Sequence, residues 1–208
     1  MVKRLLDILL ASIGLAVAAP IIACAAVGIL VSSRGPVFYR AIRVGRHRRP
    51  FVMYKLRSMH DRAYSQSAIT AGNDPRVFPF GSWLRRSKVD ELPQLFNVLR
   101  GDMSIVGPRP EDPKFVEEHY TTVHLETLQV RPGVTSPSSL YDYVHGEPNL
   151  TGAVVELQYV EQLLPIKLAL EVVYVRHASL GYDLSLIGRT IWMIVSVLAG
   201  RRGFPEPP

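Results

Sequence analysis

Cysteine is nearly missing: Cys24 is the only one in 208 residues. That excludes an intrachain disulfide and a zinc site built on several thiolates. The six histidines are scattered without ligand spacing and read as core or surface residues. Acid is missing from a long stretch, since no Asp or Glu stands between Asp7 and Asp61. Repeats and low-complexity tracts are absent. Charge is scarce at 20%, against 48% apolar residues and a mean hydropathy of +0.13. These values are high for a soluble enzyme and low for a polytopic membrane protein. The length suits one ordinary domain, or one domain plus a membrane element.

The apolar excess is concentrated at the start. From Leu5 to Ser32 only Asp7 interrupts the run, and Lys3-Arg4 precede it. A secretory signal fits the basic start and apolar centre, and Ile21-Ile22-Ala23-Cys24 resembles a lipoprotein cleavage box. The run continues to Val31, however, where a mature lipoprotein turns polar. A spanning helix is a second reading, because roughly 20 apolar residues suffice. A re-entrant hairpin broken at Ala19-Pro20 is the third. Its arms would reach about 22 Å and about 18 Å at ~1.5 Å per residue, too short for a ~30 Å hydrocarbon layer. Lys3 and Arg4 flank one end and Arg34, Arg40 and Arg43 the other, so both ends read as cytoplasmic. That symmetry favours re-entry.

Gly35-Pro36 marks the exit from this run. Val37-Phe38-Tyr39 and Phe51-Val52-Met53-Tyr54 read as two strands around a polar loop from Gly45 to Pro50. Arg40, Arg43, Arg46, Arg48, Arg49, Lys55 and Arg57 crowd the hairpin. Phosphates of a nucleic acid would suit such charges, with Tyr39, Phe51 and Tyr54 available to stack on bases. Beside an apolar membrane run, attraction to anionic headgroups explains them more economically. Nucleic acid is therefore not an expected partner. Asp61 to Phe80 is polar and irregular, with a turn at Gly72-Asn73-Asp74-Pro75; it reads as a loop able to close over a ligand.

The chemistry-bearing stretch is Lys88 to Asp102. Asp90 and Glu91 stand side by side, and Leu92, Leu95, Phe96 and Leu99 recur behind them at helical spacing. A helix is predicted from about Asp90, with Asp90 as its N-cap, Pro93 in its first turn and Gly101 as its stop. Arg85, Arg86, Arg100 and Arg109 surround the pair. In isolation an Asp-Glu pair is a cap and a first-turn charge. Two acids among arginines at a helix start also suit a divalent metal and a phosphorylated substrate.

Leu84-Arg85, Val89-Asp90-Glu91-Leu92-Pro93-Gln94-Leu95, Asn97-Val98 and Gly101-Asp102-Met103-Ser104-Ile105-Val106-Gly107-Pro108-Arg109-Pro110 together carry a longer signal. This run resembles the signature of the bacterial sugar transferases, small monotopic phosphoglycosyl transferases acting on polyprenol phosphate. The similarity is dense from Arg76 to Glu111 and thinner over nearly the whole chain. It implies Asp90 and Glu91 as catalytic and Mg²⁺-binding residues. It also implies phosphate contacts by Lys55 and Arg57 (in Lys55-Leu56-Arg57-Ser58-Met59), by Arg85, by Arg109 between two prolines, and by Arg131 in Arg131-Pro132-Gly133-Val134-Thr135. Beyond Thr135 the chain departs from the family pattern, with Ser136-Pro137-Ser138-Ser139-Leu140 where many members have a Gly-Trp-Ala-Gln type sequence. It also has Ala19-Pro20 in place of the family's Ser-Pro break.

The expected architecture is α+β and mostly helical. It has a re-entrant helix-break-helix at 1–34, a short β-hairpin opening a compact cytoplasmic catalytic domain at 35–203, and a disordered tail at 204–208. Glu156 to Leu168 and Leu170 to Leu180 read as helices. Leu184, Ile187, Ile191, Ile194, Val195 and Leu198 form a stripe about 16 residues long, which reads as an amphipathic helix lying at the bilayer surface or packed on the core. The resemblance implies a UDP-sugar, polyprenol phosphate and a phospholipid bilayer as partners, at the cytoplasmic face of a bacterial inner membrane, and is compatible with a homodimer. Two schemes fit the pair. Asp90 attacks the β-phosphorus and carries a phosphosugar, or the lipid phosphate attacks directly while both acids hold metal; the resemblance favours the first. A metal-dependent phosphohydrolase and a non-catalytic basic scaffold are the alternatives.

Overall fold

The computed structural model describes residues 2–60, 69–70, 74–146 and 155–199. Helix α1 runs from Val2 to Ser32. The hairpin follows, with β1 (Phe38–Val44) antiparallel to β2 (Pro50–Leu56) and Phe38 opposite Leu56. Next come α2 (Pro79–Arg86), α3 (Gln94–Arg100), β3 (Ser104–Val106), α4 (Pro113–His119), β4 (Gly133–Thr135) and α5 (Pro137–His145). A short α6 (Val155–Gln158) leads through one wide turn at Tyr159–Leu163 into α7 (Leu164–His177), and α8 (Leu180–Leu198) closes the described chain. The mostly helical, mixed architecture agrees with the sequence reading. Most of the loop expected at Asp61 to Phe80 and the tail at 204–208 lie outside the described residues.

The break expected at Ala19-Pro20 does not divide α1, which continues through Pro20. Proline in a helix removes one hydrogen bond and crowds the preceding turn. Here the turns on both sides are supported by packing. Asp7, Ala11, Ala18, Ala25 and Ile29 are buried at near-heptad spacing, and a Cβ on Gly14 would come within 3.2 Å of Leu95. One stripe of α1 thus lies on the body, while Leu5, Leu9, Ile13, Val17, Val27, Leu30 and Val31 remain exposed.

Polar contacts fasten both ends of α1 to that same body. Near the start, Arg4 donates to the carbonyls of Val98 and Leu99 at 2.6 and 3.0 Å, satisfying the open C-terminal end of α3. Asp7 accepts from the Ser104 hydroxyl at 2.9 Å and the Ile105 N–H at 3.0 Å, and Lys3 pairs with Asp183 of α8. At the far end, the Arg57 guanidinium is fully buried and donates to Ser33 O at 2.7 Å, Ser33 Oγ at 2.8 Å and Pro36 O at 2.5 Å. Replacing Arg57 with Met leaves those buried acceptors unsatisfied. The expected cost is about 3 kcal/mol, read as a lowered thermal midpoint in detergent with faster proteolysis around Ser33 to Pro36.

The core beneath the hairpin joins Ala11 of α1, Ala41 and Met53 of the strands, Val98 of α3 and Met103. Asn97, wholly buried, locks α3 to β2: its amide donates to Val52 O at 2.7 Å and accepts from Tyr54 N–H at 3.1 Å. Strands β3 and β4 pair in parallel, Ser104 opposite Gly133 and Val106 opposite Thr135. Just beyond, Gly107 N–H donates to Thr135 O and Gly133 N–H to Pro108 O.

The C-terminal helices differ from expectation in extent. One helical run covers Val155 to His177, because the wide turn at Tyr159–Leu163 carries the chain on instead of ending it. Helix α8 has 19 residues, not 16, since Ser179 caps it by accepting from Tyr182 N–H. Helices α1 and α8 are both long and apolar enough to cross a membrane by length and composition. Helix α8 buries Asp183, Leu186 and Met193 on the body and exposes Leu184, Ile191, Trp192, Val195 and Leu198.

Candidate active site

The predicted helix start at Asp90 is corrected by the backbone. Lys88 adopts the left-handed conformation (φ 57), and Val89–Glu91 then form a single tight turn of their own. Helix α3 begins only at Gln94, with Pro93 at its cap position, and ends as expected at Gly101 (φ 91). Proline suits that entry because it lacks the N–H the first turn leaves unused. Asp90 is therefore not an N-cap, and both acids point into the body with only 6% and 9% of their surface exposed.

The two carboxylates sit in unlike surroundings. Glu91 Oε1 accepts from Lys55 Nζ at 2.9 Å and lies 3.6 Å from an Arg109 terminal nitrogen. Burial alone would raise its pKa, but Lys55, Lys88 and Arg109 together hold it well below the usual glutamate range. Asp90 Oδ1 is buried and has no hydrogen-bond partner. Burial first, and the Glu91 charge second, push its pKa up, with Lys55, Lys88 and Arg85 only partly opposing. Burial also lowers the pKa of Lys55, against the pull of Glu91. Tyr143 of α5 is pushed up to about 12 by burial and by both acids, so its phenol keeps its proton at neutral pH.

A cavity of about 960 Å³ opens over the pair. Lys55 of β2, Arg85 and Arg86 of α2, Lys88, Asp90, Glu91 and Arg109 line it. Arg109 is placed by its backbone: its N–H donates at 3.1 Å to the buried Glu171 of α7, and Nη1 donates at 3.3 Å to Ser139 Oγ. Prolines 108 and 110 stiffen the segment on either side. Arg57 and Arg131 lie outside the lining. Arg57 holds the exit of α1, and Arg131 Nε donates to Gly101 O at 2.8 Å, closing the turn after α3. Arg100 is also outside, beside Asp102 at 3.3 Å on the surface.

Sequence reasoning missed Lys88 and Tyr143. Lys88 stands inside the quoted run, and its left-handed backbone was not legible from residue type. Tyr143 comes from a segment 50 residues on and reaches the site only through tertiary packing. Its phenol donates to the Arg86 carbonyl, and Lys88 Nζ lies 4.9 Å from its ring centroid.

The sequence matches a known family over nearly the whole chain. The bacterial sugar transferase pattern fits residues 1–197. The chain belongs to this family. Among relatives, a Bacillus subtilis protein provisionally named an undecaprenyl-phosphate N-acetylgalactosaminyl 1-phosphate transferase is 51% identical over 118 residues, covering 56% of this chain and 66% of that protein. A UDP-glucose:undecaprenyl-phosphate glucose-1-phosphate transferase of Xanthomonas campestris is 38% identical over 190 residues, covering 89% of this chain and 37% of that protein. A UDP-N-acetylgalactosamine-undecaprenyl-phosphate N-acetylgalactosaminephosphotransferase of Aeromonas hydrophila is 34% identical over 203 residues, covering 96% and 45%. The chain thus spans from 37% to 66% of the length of these three relatives.

As a cation site, this family member offers two carboxylates; no group of three or more His, Cys, Asp or Glu with metal-ligand placement exists among the described residues. Two carboxylates fit Mg²⁺, which is commonly held by one or two of them together with substrate phosphates and water. The orphaned Asp90 oxygen is the donor such an ion would complete, whereas Glu91 Oε1 is already held by Lys55 and Arg109.

Proposed function

We propose that this chain transfers a sugar-1-phosphate from a UDP-sugar to polyprenol phosphate, giving polyprenol-diphosphate-sugar and UMP. The observation that carries the reading is a buried carboxylate, Asp90, with one oxygen unpartnered, in a cavity ringed by Lys55, Arg85, Lys88 and Arg109. Cations in that ring suit a diphosphate, and the lone carboxylate suits attack on phosphorus. The names of the relatives supply the substrate class.

In this scheme an Asp90 oxygen bonds to the β-phosphorus, and the bond from that phosphorus to the bridging oxygen breaks. UMP leaves with the bridging oxygen. An oxygen of polyprenol phosphate then attacks the same phosphorus, and the bond to Asp90 breaks, restoring the carboxylate. Arg85 and Arg109 offset charge on the phosphoryl oxygens, while Lys55 and Lys88 keep Glu91 ionised. Mg²⁺ held by Asp90 and Glu91 would supply a Lewis acid for the phosphoryl oxygens and lower the cost of ionising Asp90. The protonated Tyr143 holds α2 and α5 together across the cavity rim.

The lipid acceptor demands a bilayer, and α1 supports a one-sided attachment. Both of its ends are bonded to a single body, so a helix that left one end on the far side would break the Arg4, Asp7 and Arg57 contacts. We place the exposed apolar faces of α1 and α8 in one leaflet, with the cavity on the cytoplasmic face of the bacterial inner membrane.

The test is UMP release by the purified chain with a panel of UDP-sugars, with and without polyprenol phosphate. Sustained turnover is expected only with the lipid. Lipid-independent turnover would instead indicate a phosphohydrolase, and no consumption of any sugar nucleotide a scaffold.

A further inference from the structure

The cavity has two chemically different walls, and the cationic ring occupies only one. On the other wall stands Lys167 of α7, a lysine left only 4% exposed. Its ammonium donates to the Tyr159 hydroxyl at 3.3 Å, lies 4.8 Å from that ring's centroid, and sits 3.6 Å from Asp142 Oδ1. Tyr159, 1% exposed, donates in turn to Glu111 Oε2 at 2.6 Å. Asp142 is 8% exposed, and all four residues line the cavity.

A buried lysine beside Asp142, and linked through Tyr159 to Glu111, is costly for a wall whose only task is packing, since apolar residues of similar volume serve as well or better. Phosphate is a poor match for this wall, because two carboxylates outnumber one ammonium. Neutral hydroxyl groups match it well: carboxylates accept from them, and the lysine ammonium, with three protons, donates to them, while Tyr159 orients Glu111 and Lys167. We infer that Glu111, Asp142, Tyr159 and Lys167 form the subsite that binds the hydroxyl-bearing sugar ring of the donor and discriminates among sugars.

The placement relative to the phosphate ring supports this. Arg109, beside Glu91, and Glu111, beside Tyr159, are two residues apart in a proline-stiffened segment. An extended chain separates such residues by about 7 Å, so one strand of backbone carries a phosphate contact and then a contact one sugar ring further on. Helix α5 repeats the pattern with adjacent residues, Tyr143 at the cationic wall and Asp142 at the other. A site that hydrogen-bonds substrate hydroxyls rejects an analogue lacking or inverting one, because its own buried polar groups are then left unpaired.

This inference rests on the proposed UDP-sugar reaction, and the experiment separates the two. Wild type, Lys167→Met, Asp142→Asn and Tyr159→Phe are compared for kcat/KM with UDP-glucose, UDP-galactose and their two N-acetylhexosamine counterparts, and for inhibition by UMP. Wild type is expected to prefer one donor. Each variant is expected to lose about tenfold in kcat/KM for that donor and to narrow the ratio between it and its epimer, with UMP inhibition within twofold of wild type. Equal losses for all four donors, or a parallel loss of UMP inhibition, overturn the subsite. If Lys167→Met fails to fold, Tyr159→Phe decides alone, because it removes one hydroxyl and keeps the ring. Wild type inactive with every UDP-sugar would instead overturn the reaction itself.

Discussion

Asp90→Asn is expected to remove turnover, by on the order of 10⁴-fold or more, and with it the burst of UMP that the proposed covalent scheme gives before any lipid is added. The substitution nearly preserves shape, replaces one carboxylate oxygen with an amide NH2, and removes the negative charge that the proposed attack requires. It is also expected to fold. Asp90 is buried, one of its oxygens has no partner, and its pKa is raised by burial and by Glu91. A carboxyl with a raised folded pKa favours folding while protonated, at low pH, and loses that contribution as pH rises through the folded value. At neutral pH the ionised form therefore costs stability, and the neutral Asn variant is expected to melt no lower than wild type. Loss of activity with an unchanged or raised thermal midpoint identifies a chemical role. Intact mass after mixing with donor alone should show a phosphosugar adduct on wild type and none on the variant. Undiminished single-turnover UMP release by Asp90→Asn would remove Asp90 as nucleophile and leave direct attack by the lipid phosphate.

Gly107→Ala is the second large effect, and it is one of folding. A Cβ at Gly107 would fall inside van der Waals contact of the Arg131 carbonyl oxygen and 3.0 Å from Gly133 N. Both neighbours are backbone, held by the bonds that join β3 and β4, so neither can move as a flexible side chain would. The expected destabilisation is about 3 kcal/mol, seen as a fall in the thermal midpoint. Gly107 also opens the Pro108-Arg109-Pro110 segment, so donor KM should rise in whatever fraction folds. Gly188→Ala, inside α8 and with nothing within 4 Å of its added Cβ, is the contrasting control: it is expected to raise the thermal midpoint slightly, through up to about 1 kcal/mol of helix propensity, and to leave donor KM unchanged.

Local chemistry was readable from residue order; long-range placement was not. The hairpin is legible because runs of aromatic and aliphatic residues flank a polar loop bounded by Gly45 and Pro50; in the structure the strands are Phe38–Val44 and Pro50–Leu56, longer than the runs read from sequence and without Val37. Gly101 is legible as a helix stop because its positive φ suits glycine. Asp90 as an N-cap is not supported, since helical spacing behind it hides the separate turn that Lys88 initiates. Pro20 illustrates the limit of a residue rule: packing along α1 outweighs the local cost of proline. Among the arginines, residue type could not separate Arg109, which reaches Glu91, from Arg57, which binds carbonyls at the end of α1. Lys167 and Tyr159 carry no periodic or motif signal at all, and only the folded chain brings them to the cavity wall.

The double fastening of α1 bears on what can precede it. Lys3, Arg4 and Asp7 at one end, and Ser33 at the other, meet the same body. Under the proposed one-leaflet placement, polypeptide joined ahead of Val2 is delivered on the cavity's side of the lipid. On that reading an upstream segment that starts in the same compartment traverses the bilayer an even number of times, and a fusion with one added crossing is expected to mislocalise or to release α1 from its dock.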